Sequence, residues 1–579
     1  MKAEGNERGW FGMGKIRQRS WWCAGSVGAT VGVLGLVASA GALPMTAAAA
    51  PRPRAAASSV PPLTVTVNNA GALPNDNNPL VANGPNLSIY DNWDMVYEPL
   101  LGYNVAEPGK SFPWLATRWS FADGGKTLTF SLRKGVKWSD GTAFTSADVA
   151  FTLNLIKKYP ALNLYGFNYT SVSAPDPSTV VVHFPLPAYT ELYYFSEQPI
   201  VPAHIWSKVK DPVTYEDPNP IGTGPYVLAR YAPTEEVYKA NPLYWQPVPV
   251  KEVEFFAFAS ANTYNAEVND GQIQWATADE LDVNKAFVAR DPKYNQYWFP
   301  SVTSVELVPN LTVYPLNAVA VRKAISDVIS RQIISRVGES GDEPPITSAT
   351  GIWPGAGSYV GAQFKNDRFV YSVSAAKSVL KSAGFSWDSS GALLGKDHKP
   401  VPALTCIAPS DWADYPIDCT IIARELKSIG IPASYQGVTD TTYFADLADG
   451  NFDLAPAGAA SGPTPYYAYA SLLNDTLSAK VGKNAAGDYE RWYSPVTQHY
   501  LTAYADAGTS AAQQAALNGL EAIMVNDMPV IPMVGAADWG MWNDRNYVGW
   551  QTPSNHPWGN DSPGAPNLEP VLLHLRPRS

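Results

Sequence analysis

The chain has 579 residues, of which 41 are basic and 52 acidic, giving a net charge of −11. This length is several times the usual ~100–150 residues of one domain, so we expect two or three domains. The acidic balance argues against a nucleic-acid binder, because phosphate contacts need a basic surface. Charged residues make up only 16% of the chain, which argues against a disordered or coiled-coil protein.

The first fifty residues have the pattern of a secretory signal peptide. Lys15, Arg17 and Arg19 precede a weakly apolar, glycine-rich stretch at 24–43, and small residues follow it. The stretch is long enough to span a bilayer, so an uncleaved anchor is the alternative, but its glycines and alanines favour cleavage. Residues 51–61, rich in Pro, Ala and Ser, predict a flexible linker. We expect an exported protein, periplasmic or extracellular, with cell-surface attachment left open.

Hydrophobic patterning predicts strands and helices that alternate along the chain. Short apolar or alternating runs predict strands at 63–67, 128–132, 180–184 and 253–258. A capping-box pattern at Thr145 and Asp148 predicts a helix, and an apolar stripe predicts another over 321–329. Three more helices are predicted to begin at Ser374, Asp418 and Ser510. The alternation predicts an α/β protein.

Motifs for catalysis or metal binding do not rise above chance. None of the six histidines has a second histidine or a cysteine at metal-ligand spacing. The segment 338–342 resembles a nucleophile elbow but lacks its last glycine. We therefore expect neither an enzyme nor a metal or cofactor site, although a carboxylate pair stays open. Cys406 and Cys419, thirteen positions apart in an exported chain, are expected to form a disulfide, with two separate thiols as the alternative.

Several motifs occur in a fixed order along most of the chain. The most diagnostic is the run from Leu115 to Trp138, which contains Gly-Lys-Thr-Leu-Thr-Phe-Ser-Leu-Arg-Lys-Gly at 125–135. The other motifs are Asp140-Gly141-Thr142, Ile200-Val201-Pro202-Ala203-His204, Gly222-Thr223-Gly224-Pro225-Tyr226, Asn241-Pro242-Leu243-Tyr244-Trp245 and Met528-Pro529-Val530-Ile531-Pro532. Together they resemble the family 5 extracytoplasmic solute-binding proteins of ABC importers, which bind oligopeptides, dipeptides, nickel or some oligosaccharides.

The resemblance implies a two-lobed, periplasmic-binding-protein-like α/β fold with a hinge and a subdomain inserted into the first lobe. The expected boundaries are 1–50 for the signal peptide, 51–61 for the linker, 62–90, 220–305 and 530–579 for lobe I, 91–219 for the inserted subdomain, and 306–529 for lobe II. Such a protein closes over a solute and delivers it to the transmembrane subunits of an ABC permease, acting as a monomer.

The resemblance leaves the ligand open between an oligopeptide and an oligosaccharide. In the family's oligopeptide binders an aspartate of the second lobe pairs with the peptide amino terminus. The corresponding segment here, 457–465, has no acidic residue, and an ammonium buried without a counter-charge would be costly. Flat aromatic side chains beside polar groups suit sugars. The candidate ligand contacts are Trp412, Asp411, Tyr466, Tyr467 and Trp93.

Two alternatives accompany this interpretation. The candidate aromatic residues could serve only to pack the core. A secreted hydrolase or a sensory receptor could use the same scaffold, and a hydrolase would need a nucleophile or a carboxylate pair in the cleft.

Overall fold

The computed structural model describes residues 60–66, 72–73, 75–81, 95–258, 260–277, 282–559, 561–563 and 568–578. The predicted signal peptide, nearly all of the predicted linker, and Trp93 lie outside these ranges. The fold below concerns the described residues.

The strands have the following bounds in chain order. They are β1 (Leu63–Thr66), β2 (Leu101–Tyr103), β3 (Ser111–Pro113), β4 (Ala116–Ala122), β5 (Thr127–Leu132), β6 (Ser171–Asp176), β7 (Thr179–His183), β8 (Tyr226–Ala232), β9 (Glu235–Ala240), β10 (Glu252–Phe256), β11 (Trp275–Ala276), β12 (Asn295–Trp298), β13 (Val305–Pro309), β14 (Ser386–Trp387), β15 (Leu393–Leu394), β16 (Leu404–Pro409), β17 (Ala433–Val438), β18 (Leu454–Gly458), β19 (Ile531–Val534), β20 (Gly540–Asn543), β21 (Tyr547–Val548) and β22 (Arg576–Pro577).

The helices lie mostly between these strands. They are α1 (Ser146–Lys158), α2 (Glu191–Tyr194), α3 (Ala203–Trp206), α4 (Ala261–Asn269), α5 (Val283–Ala286), α6 (Val319–Val328), α7 (Arg331–Ile333), α8 (Val373–Ser382), α9 (Tyr415–Lys427), α10 (Asp440–Asp449), α11 (Pro465–Leu473), α12 (Pro495–Ala505), α13 (Ser510–Asp527) and α14 (Leu568–His574).

The helices predicted to begin at Ser374 and Asp418 have their caps two and four residues earlier, whereas α13 begins at Ser510 as predicted. The side chain of Ser372, not Ser374, caps α8 by accepting a hydrogen bond from the Ala375 N–H at 3.1 Å. Asp414 precedes α9, and Thr509 caps α13. In each case a second residue that can cap a helix lies just upstream of the predicted one. The side chain of that upstream residue accepts a hydrogen bond from a free N–H group of the first turn, so it forms the cap.

The first lobe is built on a seven-stranded sheet with the order β12-β20-β11-β1-β10-β9-β8. Its central strand β1 is parallel to both β10 and β11, and the other pairs are antiparallel. An antiparallel sheet of order β4-β5-β7-β6 belongs to the same hydrophobic core. Because β1, β8–β12 and β20 come from distant parts of the chain, this lobe needs the beginning, middle and end of the sequence.

The second lobe is built on a five-stranded sheet with the order β17-β16-β18-β13-β19. Strands β16, β17 and β18 are parallel, and β13 is antiparallel to both of its neighbours. The buried faces of α6, α8 and α9 supply a core with Ile325, Leu380 and Ile422 at its centre. This core is separate from that of the first lobe, so the molecule has two bodies.

Two adjacent segments, 299–304 and 535–539, connect the two sheets; we call them the hinge. They continue the antiparallel β12–β20 pair into the β13–β19 pair. The Val302 N–H donates to the Ala536 carbonyl at 2.9 Å, and the Ala536 N–H donates to the Thr303 carbonyl at 3.0 Å. A two-stranded ribbon of this kind resists sliding but lets the bodies at its ends rotate.

Candidate ligand-binding cleft

One edge of the second lobe's sheet faces the hinge. Parallel pairing places the carboxyl ends of β16, β17 and β18 at the same edge. At that edge Gly458, the last residue of β18, pairs with Val305, which follows the hinge directly. Loops that follow the carboxyl ends of parallel strands commonly hold ligands in α/β proteins. The loops 410–414 and 459–464 are therefore candidate walls of a cleft.

The loop 459–464 contacts both the hinge and the first lobe. The Ala459 N–H donates to the Ser304 carbonyl at 2.8 Å, and the Pro463 carbonyl accepts from the Gly109 N–H at 2.6 Å. Gly109 has φ +87°, and a Cβ atom there would lie 2.5 Å from the hydroxyl of Tyr359. The positive φ favours glycine at this close approach between the lobes, and a Cβ atom would also require the Tyr359 hydroxyl to move.

Tyr467 and Tyr466 lie in α11, immediately after that loop. The Tyr467 hydroxyl donates to the Thr190 carbonyl of the first lobe at 2.9 Å, and its ring centroid is 4.9 Å from that of Tyr193. Tyr466 instead stacks on Tyr504 within the second lobe, with ring centroids 4.3 Å apart. Tyr467 thus bridges the lobes, and Tyr466 supports it from one side.

Trp412 and Asp411 lie in the loop after β16, at the same edge. The Trp412 ring is half-buried against Tyr415, Tyr443 and Phe444, at centroid distances of 5.1, 6.0 and 6.3 Å. β16 is two strands from β13, or roughly 10 Å at the usual strand spacing. All three of these ring contacts of Trp412 are with residues of its own lobe. Asp411 is exposed beside it.

A pocket opens on the first-lobe side of the Tyr193–Tyr467 contact. The centre of a water-sized molecule can occupy only about 20 Å³ of it, within about 390 Å³ of space that includes open solvent. Its lining is aromatic and acidic, and no lining residue is Lys, Arg or His. The aromatic and acidic residues of the lining are Tyr103, Phe112, Trp114, Tyr193, Glu197 and Glu569.

Glu98 lies fully buried behind the pocket wall. Its Oε1 accepts hydrogen bonds from Trp114 Nε1 at 2.8 Å, from the Tyr244 hydroxyl at 3.0 Å and from Trp245 Nε1 at 3.2 Å. The Tyr244 hydroxyl is also 2.8 Å from Glu569 Oε1. Burial raises the pKa of Glu98. The Tyr244 hydroxyl connects Glu98 to Glu569, which lines the pocket.

A second carboxyl group lies where the lobes meet. Burial raises the pKa of Glu191 to about 7, and one of its carboxylate oxygens has no hydrogen-bond partner among the described residues. Burial raises the pKa values of Tyr194 and Tyr466, and the charge of Glu191 raises both further, so Glu191 lies near a tyrosine of each lobe. The first-lobe wall of the cleft is therefore acidic as well as aromatic.

Sequence reasoning missed Glu191, Tyr193, Glu197 and the Tyr103 region. The run Leu-Tyr-Tyr-Phe-Ser-Glu at 192–197 was a usable signal, because it combines adjacent tyrosines with a carboxylate in a short segment. Its importance depends on Glu569 and Tyr467, which lie hundreds of residues later. No local pattern shows that these residues meet.

The comparisons with known proteins identify the class of this protein. The family model for bacterial extracellular solute-binding proteins, family 5 Middle, matches residues 110–479. This match covers more than half of the chain, so the chain belongs to family 5 of the bacterial extracellular solute-binding proteins. The resemblance predicted from the motifs is confirmed.

Two relatives illustrate the range of named ligands. The nickel-binding periplasmic protein of Escherichia coli is 25% identical over 383 residues, covering 62% of this chain and 69% of that protein. The glutathione-binding protein GsiB, also from Escherichia coli, is 28% identical over 331 residues, covering 53% of this chain and 62% of that protein.

Solved structures confirm the predicted two-lobed α/β fold. The periplasmic oligopeptide-binding protein of an oligopeptide ABC transporter from Thermotoga maritima has a TM-score of 0.78 at 22% identity, covering 89% of this chain and 99% of that chain. A structure of the same Thermotoga protein with bound mannohexaose has a TM-score of 0.73 at 22% identity, covering 90% and 100%.

None of the helices in the described ranges is long and apolar enough to cross a bilayer. Over the same ranges, no group of three or more His, Cys, Asp and Glu side chains is arranged to hold a metal ion.

Proposed function

We propose that this chain is the exported solute-binding protein of an ABC importer. It captures an oligopeptide or an oligosaccharide between its lobes and delivers it, as a monomer, to a membrane permease. The observation that carries the proposal is the hinge of 299–304 and 535–539 between two lobes that touch at Tyr467 and Pro463. Family membership supports the class, and the ligands named for its relatives support both ligand types.

Hinge rotation explains how such a cleft would work. The hydrogen bonds from Tyr467 to Thr190 and from Gly109 to Pro463 exist only while the lobes touch. A ligand that contacts both walls adds free energy to that closed arrangement alone, so it shifts the population from open to closed. The permease would then recognise the closed form.

We further propose that the ligand contacts lie along the hinge-facing edge of the second lobe. Tyr467 and Tyr466 would contribute from α11, and Trp412 and Asp411 from the loop after β16. Trp93 would contribute from the first lobe. The lobe and subdomain boundaries given above are proposed on the same basis, because the three chain regions of the first sheet fall within its three segments. One boundary is corrected: β19 (Ile531–Val534) pairs with β13 in the second lobe's sheet, so the second lobe extends beyond 529 to the hinge segment 535–539.

A thermal-shift panel tests the proposed function. The mature protein is heated with di- to pentapeptides and with manno-, cello- and xylo-oligosaccharides, while free amino acids and monosaccharides serve as controls. A ligand at 100 times its Kd should stabilise the folded state by about 2.7 kcal/mol, which raises the melting temperature measurably. The ligand must be recovered unchanged, because its breakdown would identify a hydrolase. A folded protein that responds to none of the compounds would contradict the proposal.

A further inference from the structure

We propose that Tyr189 of the first lobe is a latch that holds the lobes closed over the ligand, and that Gly508 is the residue of the second lobe that lets it seat. The inference rests on the proposed function, because it assigns two positioning residues to lobe closure. Neither residue is among the proposed ligand contacts. The affinity for the ligand would therefore depend partly on a contact between the lobes that is remote from those residues.

The Tyr189 ring has a fixed seat on the first lobe. It lies against Gly125, between β4 and β5, where a Cβ atom would be 2.6 Å from the Tyr189 Cε2 atom. Its ring centroid is also 4.8 Å from that of Phe121. The preceding residue is tied to the same place, because the Ala188 N–H donates to the Gly125 carbonyl at 3.0 Å. The ring therefore has little freedom to move away from its position.

Gly508 of the second lobe meets the same ring from the other side. It lies in the connection between α12 and α13. A Cβ atom there would lie 2.5 Å from the Tyr189 hydroxyl oxygen, 2.8 Å from Cζ and 3.3 Å from Cε2. Gly508 does not have a positive φ. Glycine is therefore needed here for the space that the ring occupies and not for its backbone conformation.

The Tyr189 ring thus lies between two glycines, one from each lobe. A rotation about the hinge that separates the lobes would break the contact with Gly508 and keep the contact with Gly125. Because the ring is seated on the first lobe, a methyl group at position 508 would have to push the second lobe away from it. The contact therefore belongs to the closed arrangement.

The residues beside this contact also join the lobes. The Thr190 carbonyl, next along the chain from Tyr189, accepts the hydrogen bond from the Tyr467 hydroxyl at 2.9 Å. Burial raises the pKa of Asp506 of the second lobe, and the charge of Lys126 of the first lobe opposes that shift, so opposite charges lie near each other. An exposed pair of this kind contributes little free energy. The ring contact is therefore the main element of the latch.

The first test compares Gly508→Ala with a matched control, Gly357→Ala. The control makes the same substitution in the second lobe, at a position where a Cβ atom would meet no atom within 4 Å. Binding is measured by titration calorimetry with trialanine and mannohexaose, and with any other compound of the thermal-shift panel that the wild type binds. We expect G508A to bind at least tenfold more weakly, because its closed form is less populated. G357A should bind like the wild type, and circular dichroism should be unchanged in both.

A double variant distinguishes the latch from a local packing defect at position 508. Tyr189→Ala removes the ring and should weaken binding several-fold. The Y189A/G508A variant should bind like Y189A and more tightly than G508A, because the added methyl group no longer has a ring to meet. Independent defects would instead add their losses. Stopped-flow kinetics should show faster ligand release from G508A, with an association rate close to that of the wild type.

The possible outcomes separate this inference from the proposed function. Equal affinity of folded G508A and wild type would overturn the latch and leave the proposed function intact. A double variant that binds more weakly than both single variants would do the same. Failure of the wild type to bind any compound of the panel would contradict the proposed function itself, and this inference with it.

Discussion

Glu306 shows how a single buried carboxyl group makes the stability of this protein depend on pH. It lies in β13 just after the hinge, is 1% exposed, and accepts a hydrogen bond from Ser304 Oγ at 2.6 Å. Burial raises its pKa to about 7, although Ser304 and Arg331 oppose the shift. Because the folded pKa exceeds the unfolded one, the stabilisation is complete below pH ~4.3 and is lost as the pH rises through about 7.

The variant Glu306→Gln should therefore stabilise the protein selectively at high pH. Glutamine keeps an acceptor for Ser304 but does not ionise, so the free energy of unfolding should rise by on the order of 3 kcal/mol at pH 8. At pH 5 the gain should shrink to about 1 kcal/mol, because only the carboxyl of the unfolded chain is then largely ionised. Urea unfolding at both pH values measures the difference, and Glu216→Gln is the exposed control. An equal effect at both pH values would contradict the assigned pKa.

Arg331, the buried cation near Glu306, keeps its hydrogen bonds in the Glu306→Gln variant. The guanidinium donates to the Pro532 carbonyl at 2.6 Å, the Ser326 carbonyl at 3.0 Å and Ser326 Oγ at 2.8 Å. Its hydrogen bonds do not depend on Glu306. Loss of the negative charge therefore does not leave an unbonded buried cation.

At the scale of elements, a covalent bond fixes β16 to α9. Cys406 of β16 and Cys419 of α9 form a disulfide with their Cα atoms 5.5 Å apart. The loop that they close, 407–418, contains the candidate residues Asp411 and Trp412. The bond thus holds the two ends of this candidate ligand loop at a fixed separation.

Replacement of both cysteines by alanine should lower the free energy of unfolding by about 3 kcal/mol, because a short loop is no longer closed in the unfolded chain. Urea unfolding measures the loss. The wild type in reducing agent should unfold at the midpoint of the double variant, whereas the reducing agent should leave the variant unchanged. A variant with the wild-type midpoint would show that the bond does not stabilise the fold.

The sequence predicted these elements better than it predicted their ends. Periodicity is a local property, so the α1 helix and its capping box at Thr145 and Asp148 followed directly from the sequence. Asp418 was predicted to begin α9, but it lies inside the helix and is fully buried. Asp414 stands at the start instead, because several residues can serve as caps and packing decides among them.

At the scale of the whole molecule, few polar contacts between the described residues of the two lobes support the closed arrangement. The hydroxyl of Tyr467 donates to the carbonyl of Thr190, and the Gly109 N–H donates to the carbonyl of Pro463. One hydrogen bond contributes about 1 kcal/mol net, which corresponds to about fivefold in the closing equilibrium. Small changes at this contact should therefore be visible in ligand affinity.

Tyr467→Phe should weaken ligand binding by up to about fivefold, because it removes the bond to Thr190 and keeps the ring against Tyr193. The matched control is Tyr466→Phe, which deletes the same atom from the adjacent ring that stacks within the second lobe. Titration calorimetry gives the affinity, and small-angle scattering should show a more open average shape for Y467F without ligand. Identical affinity for both variants would contradict the bridging role of Tyr467.

The sequence by itself determined the class of protein, four of its strands (β1, β5, β7 and β10) and five of its helices (α1, α6, α8, α9 and α13). Motifs such as the run at 125–135 are contiguous, and strand and helix periods repeat over a few residues, so both can be read without a fold. Only the tertiary structure brought Glu197 to Glu569 and Tyr193 to Tyr467. These pairs join residues hundreds of positions apart, and their meeting depends on strand order and packing between lobes, which no local pattern encodes.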